Sequence, residues 1–123
     1  METTLKEITQ SAAVPVLVGA GASDPASLQS ASDMAAAGSC FELTVGQAKG
    51  VFSVSKQGAM LWVHGAASLN SGGLTGPGLA VIQEMAARAG CSKIGLQTAR
   101  PGLVKLCKKS GFKVSGFILQ KSL

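Results

Sequence analysis

The chain has 123 residues, which fits one domain at the usual size of roughly 100 to 200 residues. Apolar residues make up 46% of it and charged residues 14%, so the chain can build a sizeable core and a disordered class is excluded. The net charge of +5 is unevenly spread, because all six acidic residues precede Met85 and eight of the eleven basic residues follow it. This acid-free basic third indicates a phosphate-bearing or acidic partner, or else a solvated face.

Cysteine and histidine usage restricts the kinds of site the chain can carry. Cys40, Cys91 and Cys107 are too far apart for a CxxC metal motif and odd in number, so we expect a reducing compartment such as the cytoplasm. His64 is the only histidine, which excludes a multi-histidine zinc centre, and we predict no metal site. A signal peptide and an apolar run of about 20 residues are both missing, so we expect neither secretion nor a membrane span.

The first 40 residues predict a strand, an apolar segment and a helix. Residues 4–9 alternate as a short strand, and residues 12–22 form an apolar run that we expect to be buried. This run matches a dinucleotide-binding GxGxxG turn only weakly, since Asp24 takes the place of the third glycine. A helix is predicted over 25–37, with Ser23 and Asp24 as its N-cap and Gly38 as its C-cap.

The middle and the end of the chain predict a meander followed by alternating helices and strands. Three β-type runs separated by short turns favour antiparallel hairpins, after which a glycine-rich stretch leads into a helix over 79–89. A strand over 93–98, a helix from Pro101 to Gly111 and a final strand complete the order. The predicted fold is therefore α/β (α+β), with a mixed, mainly antiparallel sheet flanked by helices. The β-type runs are 41–45, 50–55, 59–69 and 112–120.

The glycine-rich stretch is the strongest candidate for a binding site. Gly73-Leu74-Thr75-Gly76-Pro77-Gly78 lies between a long strand and an amphipathic helix, where backbone N–H groups and the helix dipole can face a phosphate. This arrangement resembles the pyrophosphate loop of the GNAT family of acyl-CoA-dependent N-acyltransferases, Gln/Arg-x-x-Gly-x-Gly/Ala, which Gly76 and Gly78 match. Residues 89–94 and the Ser110-Gly111-Phe112 sequence are also similar to that family's later elements.

The resemblance implies a single GNAT-like domain over residues 1–123, strongest over 41–119, with acetyl-CoA as the cofactor if the protein is catalytic. It implies a cofactor site at Gly73, Thr75, Gly76 and Gly78. Gly73 replaces the family's Gln or Arg, and Pro77 lacks a backbone donor, so we expect acetyl-CoA binding to be weak or absent.

Three residues are candidates for proton transfer. Cys107 occupies the position where the family often has a tyrosine that protonates the leaving thiolate, although a free cysteine is more often a core residue. Glu42 and His64 are the candidates for the base that deprotonates the amine. Alternation directs Glu42 away from the residues of the core, and His64 at a strand end is more often structural than catalytic.

These departures favour a non-catalytic structural or binding protein, and the layout is similar to the small GNAT-like virion proteins of short-tailed bacteriophages. The alternative is a small acetyl-CoA-dependent N-acetyltransferase that acts on an amine, which an open cleft between the strands near Ala59 and Lys93 would favour. We expect a cytoplasmic or virion location and an oligomer or complex. Nucleic acid is a further possible partner, although the basic third lacks the interleaved aromatics of single-strand binders. The lysines expected to face an anionic surface are Lys105, Lys108, Lys109 and Lys113.

Overall fold

The computed structural model describes residues 2–23, 30–69, 74–98, 101–116, 119 and 121–123. Five strands and four helices alternate along these residues. The strands are β1 (Thr3–Ile8), β2 (Ser39–Val45), β3 (Ala48–Gln57), β4 (Met60–Ser68) and β5 (Lys93–Leu96). The helices are α1 (Gln10–Ser23), α2 (Ala31–Ala37), α3 (Thr75–Arg88) and α4 (Pro101–Lys109). None of the helices in these ranges is long and apolar enough to cross a bilayer.

The strands form one sheet in the order β1-β2-β3-β4-β5. The first four strands pair antiparallel with their neighbours, and β5 pairs parallel with β4. The hairpin turns use Gly46 and Gly58, whose φ angles of 61° and 62° favour glycine over residues with a Cβ. The prediction of a mixed, mainly antiparallel sheet flanked by helices is confirmed.

Helices cover both faces of the sheet because the strand residues alternate between two apolar clusters. On the face that we call the α3 face, Leu43, Phe52 and Val63 are buried together with Ile82 and Ala86 of α3. On the opposite face, which we call the α1/α2 face, buried strand residues pack with both N-terminal helices. These residues are Cys40 and Val51 of the sheet, Ala13 and Leu17 of α1, and Met34 and Ala35 of α2.

The apolar run at 12–22 is part of a helix, α1, and is buried on one side only. Ala13 and Leu17 are fully buried, whereas Val18 is 56% exposed. The expectation of a buried segment therefore holds for the inward positions alone. Gly19 lies inside the helix and not in a turn, so the segment has no dinucleotide-binding turn at this glycine. A sequence that is apolar on every side shows no helical periodicity, which is why the pattern did not indicate this helix.

The helix predicted over 25–37 is observed as the shorter α2. Ser30 is its N-cap, and the Ser30 side chain accepts a hydrogen bond from the Asp33 N–H at 3.1 Å. Asp24 and Pro25 lie outside the described residues. Gly38 ends the helix in an extended conformation with φ of −156°, and not as a left-handed cap. A Cβ at this position would overlap the carbonyl oxygen of Val54. The close approach of the backbone at Gly38 to the backbone of β3 therefore requires glycine here.

Two boundaries downstream and the predicted final strand also differ from the structure. Helix α3 begins at Thr75 instead of residue 79, and β5 ends at Leu96 instead of residue 98. The last helix ends as predicted, with Gly111 at a φ of +95°. The final strand is wrong for residues 112–116, which form no strand; Val114 is 61% exposed there. Alternation alone does not make a strand when no neighbouring strand pairs with it.

Candidate functional site

A β-bulge in β4 lies at His64. Ser53 of β3 is opposite Gly65, and the next residue, Val54, is opposite Val63, so His64 is the extra residue of β4. A bulge leaves its extra residue without a partner in the ladder and changes the direction of nearby side chains. Gly65 consequently faces α2, where an added Cβ would overlap the Met34 sulfur. Because of the bulge, the consecutive residues His64 and Gly65 both lie on the α1/α2 face.

The His64 ring contacts Ser55 of β3. The Ser55 Oγ atom lies 2.7 Å from His64 Nε2, and both residues are half-buried. The Gln57 Nε2 atom donates to the same Oγ at 3.4 Å. Burial lowers the pKa of His64 below its ordinary value of 6.5, because the imidazolium loses solvation. At neutral pH the ring is therefore uncharged, as a base must be.

The pairing between β4 and β5 ends immediately before this bulge. Val63 and Leu96 are the last paired residues, and β4 continues to Ser68. In the described part of the chain, the second half of β4 therefore has a hydrogen-bonded neighbour on the β3 side only. From the sequence, an opening between these two strands was the feature expected to favour an acetyltransferase.

The predicted phosphate loop is largely the first turn of α3. The Gly78 N–H donates to the Leu74 carbonyl oxygen at 2.6 Å, and Leu74 provides no side-chain cap. The N–H groups of Thr75 and Gly76 have no acceptor among the described residues, and Pro77 has no N–H to offer. Both N–H groups lie at the positive end of the helix dipole, where the helix itself provides no acceptor. Gly73 lies outside the described residues.

The start of α3 lies close to the second half of β4. Gly50 of β3 is opposite Ser68, and an added Cβ on Gly50 would lie 2.9 Å from Leu74 Cδ1 and 3.1 Å from the Ala67 carbonyl oxygen. Around Gly76, an added Cβ would meet no atom within 4 Å. The first turn of α3 therefore lies at the end of the sheet where β4 no longer pairs with β5.

Glu42 is not brought next to His64. It lies in β2, opposite Val51 of β3, which is in turn opposite Ala67 of β4. Its carboxylate oxygen Oε1 is 3.6 Å from the Lys6 Nζ atom, and 20% of its side chain is exposed. Strand β3 separates the two candidate bases, and the ion pair engages the Glu42 carboxylate.

Cys107 is buried in α4, with 5% of its surface exposed. Burial raises the pKa of its thiol above the ordinary value of 9.0, so the sulfur stays protonated. Its carbonyl oxygen accepts hydrogen bonds from the Ser110 and Phe112 N–H groups at the end of the helix. Among the described residues, no group of three or more His, Cys, Asp or Glu side chains is arranged to hold a metal ion.

Two residues of this region were not predicted from the sequence. Ser55 lies next to His64 only because of the register between β3 and β4, which the bulge shifts. Trp62 is opposite Ser55, and its ring covers Gly95 of β5, since an added Cβ there would lie 2.5 Å from Trp62 Cε3. The alternation of Ser53 and Ser55 with apolar residues is a pattern that places both serines on one face, but nothing in the sequence indicates the bulge.

Comparison with solved structures identifies the fold as that of the GNAT acetyltransferases. A ribosomal-protein-alanine N-acetyltransferase from Brucella melitensis biovar Abortus 2308 matches at a TM-score of 0.63 and 13% identity, over 98% of this chain and 100% of that chain. The aminoglycoside N-acetyltransferase AAC(6')-Iy in complex with CoA matches at 0.63 and 11%, over 99% and 95%. A putative acetyltransferase from Agrobacterium tumefaciens matches at 0.57 and 20%, over 96% and 99%. No protein-family model and no curated protein sequence matches the chain.

Proposed function

We propose that this protein transfers an acetyl group from acetyl-CoA to an amine. The observation that carries the proposal is the coincidence of three features at one end of the sheet. The β4–β5 pairing ends at Val63, the bulge presents His64 in the next position, and the open start of α3 follows β4. The acetyltransferases of similar fold support this proposal, one of them in complex with CoA.

The first turn of α3 fits a pyrophosphate group. The Thr75 and Gly76 N–H groups lie in the first turn of α3, where a helix provides no acceptor of its own, and the missing Cβ of Gly76 lets an anion approach the backbone. Pro77 removes one donor from this turn, so we expect binding in the weak range for a cofactor. When bound, acetyl-CoA supplies an activated thioester to the site.

His64 would accept the proton of the attacking amine. Its ring is neutral at pH 7 because burial lowers its pKa, and an uncharged imidazole has a lone pair available for proton transfer. The bulge also leaves His64 itself without a partner in the ladder with β3, although Val63 and Gly65 on either side are paired. N–H groups released in this way can donate to a carbonyl oxygen that gains negative charge.

Cys107 is not required as an acid in this proposal. Its thiol is buried and has no hydrogen-bond partner among the described residues. A thiolate with a conjugate-acid pKa of about 8.5 leaves without a strong proton donor. We therefore assign Cys107 a packing role, and the departure from tyrosine at this position does not exclude catalysis.

Acetyl transfer can be tested by incubating the purified protein with acetyl-CoA and a panel of amines, with mass spectrometry of the products. We expect transfer by the wild-type protein and a loss of about 100-fold or more in His64→Ala, the range for removal of a general base. Gly76→Ala should fold normally, because its Cβ meets no atom, yet bind acetyl-CoA more weakly in a titration. Gly116→Ala, also in open space, is the matched control and should bind as the wild type does. Transfer that survives in His64→Ala would overturn the role of His64.

A second proposal is a non-catalytic structural or binding component, of the virion type that the sequence resemblance suggested. The observation in its favour is the loss of the Pro77 donor together with a buried, protonated Cys107. In that case neither acetyl-CoA nor CoA would give heat in a titration, and no amine would be acetylated. Micromolar binding of acetyl-CoA would reject this alternative.

A further inference from the structure

The Ser55 hydroxyl is the hydrogen-bond partner of the His64 ring. The Ser55 Oγ atom lies 2.7 Å from His64 Nε2, a typical distance for a hydrogen bond that involves a hydroxyl group. Trp62, two residues before His64, is opposite Ser55 in the ladder, and the bulge that follows keeps the ring next to this hydroxyl. Among the described residues, Nδ1 has no hydrogen-bond partner. One ring nitrogen is therefore engaged and the other is available.

We propose that Ser55 is a positioning residue that holds His64 in the Nε2–H tautomer, so that the Nδ1 lone pair accepts the proton from the amine. This inference rests on the acetyl transfer proposed above and adds a residue to that site. Ser55 itself forms no bond to the substrate. It orients the ring and fixes which of the two nitrogens carries the proton.

The Gln57 contact leaves both directions open to the Ser55 hydroxyl, and the role of a base selects one of them. The Gln57 amide nitrogen can only donate, so it uses one lone pair of the Ser55 oxygen at 3.4 Å. The second lone pair can accept the Nε2–H of His64. In the reverse arrangement Ser55 would donate to Nε2, Nδ1 would carry the proton, and neither nitrogen would have a free lone pair for the amine. Only the Nε2–H form makes His64 a base while the contact with Ser55 is kept.

The same contact fits both protonation states of a working base. When Nδ1 takes up the proton, Nε2 still donates to the Ser55 oxygen, so the ring need not move. Burial favours the neutral ring before the reaction. A ring that is held in one orientation is aligned for proton transfer more of the time than a ring that rotates about its side-chain bonds, so the reaction is faster.

The inference can be tested directly because His64 is the only histidine. The imidazole nitrogens of ¹⁵N-labelled protein give a single spin system, whose shifts report the tautomer. We expect the Nε2–H form in the wild-type protein and a mixture of both forms in Ser55→Ala. Acetyl transfer by Ser55→Ala should fall in kcat by about 10- to 100-fold, with the KM for the amine within about twofold. Ser55→Thr retains a hydroxyl and should restore the tautomer and most of kcat.

Ser53→Ala is the matched control. Ser53 lies two residues away on the same face of β3, and its Oγ donates to the Met34 carbonyl oxygen at 2.7 Å. This variant should melt at a lower temperature without changing the His64 tautomer. An Nδ1–H ring in the wild-type protein, or an unchanged tautomer and kcat in Ser55→Ala, would overturn the inference alone. Absence of transfer by the wild-type protein would instead overturn the proposed function, and the positioning role with it.

Discussion

The environment of Cys107 determines whether its thiol can act as a general acid or only packs in the core. The residue is 5% exposed, and burial raises the pKa of its thiol. A general acid must reach solvent or substrate to exchange its proton, whereas a small buried sulfur contributes mainly dispersion contacts. The structure thus favours the packing role that the sequence also favoured.

Replacement of Cys107 by serine tests this role. We expect Cys107→Ser to lower the free energy of unfolding by about 1 to 3 kcal/mol, because it replaces a buried apolar sulfur by a polar hydroxyl. Chemical denaturation and melting temperature measure the effect. Cys91→Ser, at a half-buried position, is the control and should cost less. Unchanged stability combined with lost acetyl transfer would show that Cys107 acts in the chemistry.

The pH dependence of stability follows from the lowered pKa of His64. In the unfolded chain the ring binds a proton near pH 6.5, while the folded chain binds it only at lower pH. As the pH falls below 6.5, the unfolded state gains protons first, so the folded state loses stability. We expect His64→Gln to weaken this acid-side loss between pH 6.5 and 5. Urea unfolding of both proteins across this range measures it, and an equal loss in both would contradict the assignment.

The sequence was sufficient to identify candidate residues by the chemistry of their side chains. It was not sufficient to predict which side chains lie next to each other, because that depends on the register between strands. His64 stood out as the only histidine, although it lies at a bulge inside β4 and not at the strand end that the sequence suggested. Ser55 did not, because its contact with His64 depends on one extra residue in β4. Glu42 was a plausible base by residue type, but the pairing of β1 with β2 places it beside Lys6.

At the level of elements, the hairpins and α3 were predictable because their patterns are local. Turn glycines and helical spacing are visible within about ten residues. Helix α1 was not predictable in this way, since its residues are apolar on all sides. The strand expected after Gly111 also failed for residues 112–116, because a strand exists only when a neighbouring strand pairs with it.

Pro77 is the element-level feature that limits anion binding at α3. It occupies the third position of the helix, where other residues have a free N–H. We expect Pro77→Ala to restore this donor and to strengthen acetyl-CoA binding by about one to two decades, since a hydrogen bond to a charged group contributes roughly 1.5 to 3 kcal/mol. Isothermal titration measures the change. Pro15→Ala, inside α1, should leave the affinity unchanged; a similar gain there, or no gain at Pro77, would argue against a phosphate site.

At the scale of the whole molecule, the uneven charge of the sequence is concentrated around the last helix. Lys105, Lys108 and Lys109 are exposed on α4, at spacings that place them on one side of the helix, and Lys113 is exposed just after it. Lys6 and Arg88, by contrast, form ion pairs with Glu42 and Glu84. We propose that this surface binds an anionic partner.

Two triple variants that lose the same number of charges distinguish binding by the basic surface of α4 from a general effect of net charge. Replacing Lys105, Lys108 and Lys109 by glutamine removes three charges from α4, and replacing Lys6, Lys49 and Lys56 removes three from the sheet. Charges that act together on an anion are screened over about 8 Å at physiological salt, so binding to a heparin resin should weaken as salt rises. We expect the α4 variant to elute at clearly lower salt than the wild-type protein, and the sheet variant to elute close to it. Equal shifts in both variants would show that α4 is only a solvated face and that net charge alone controls retention.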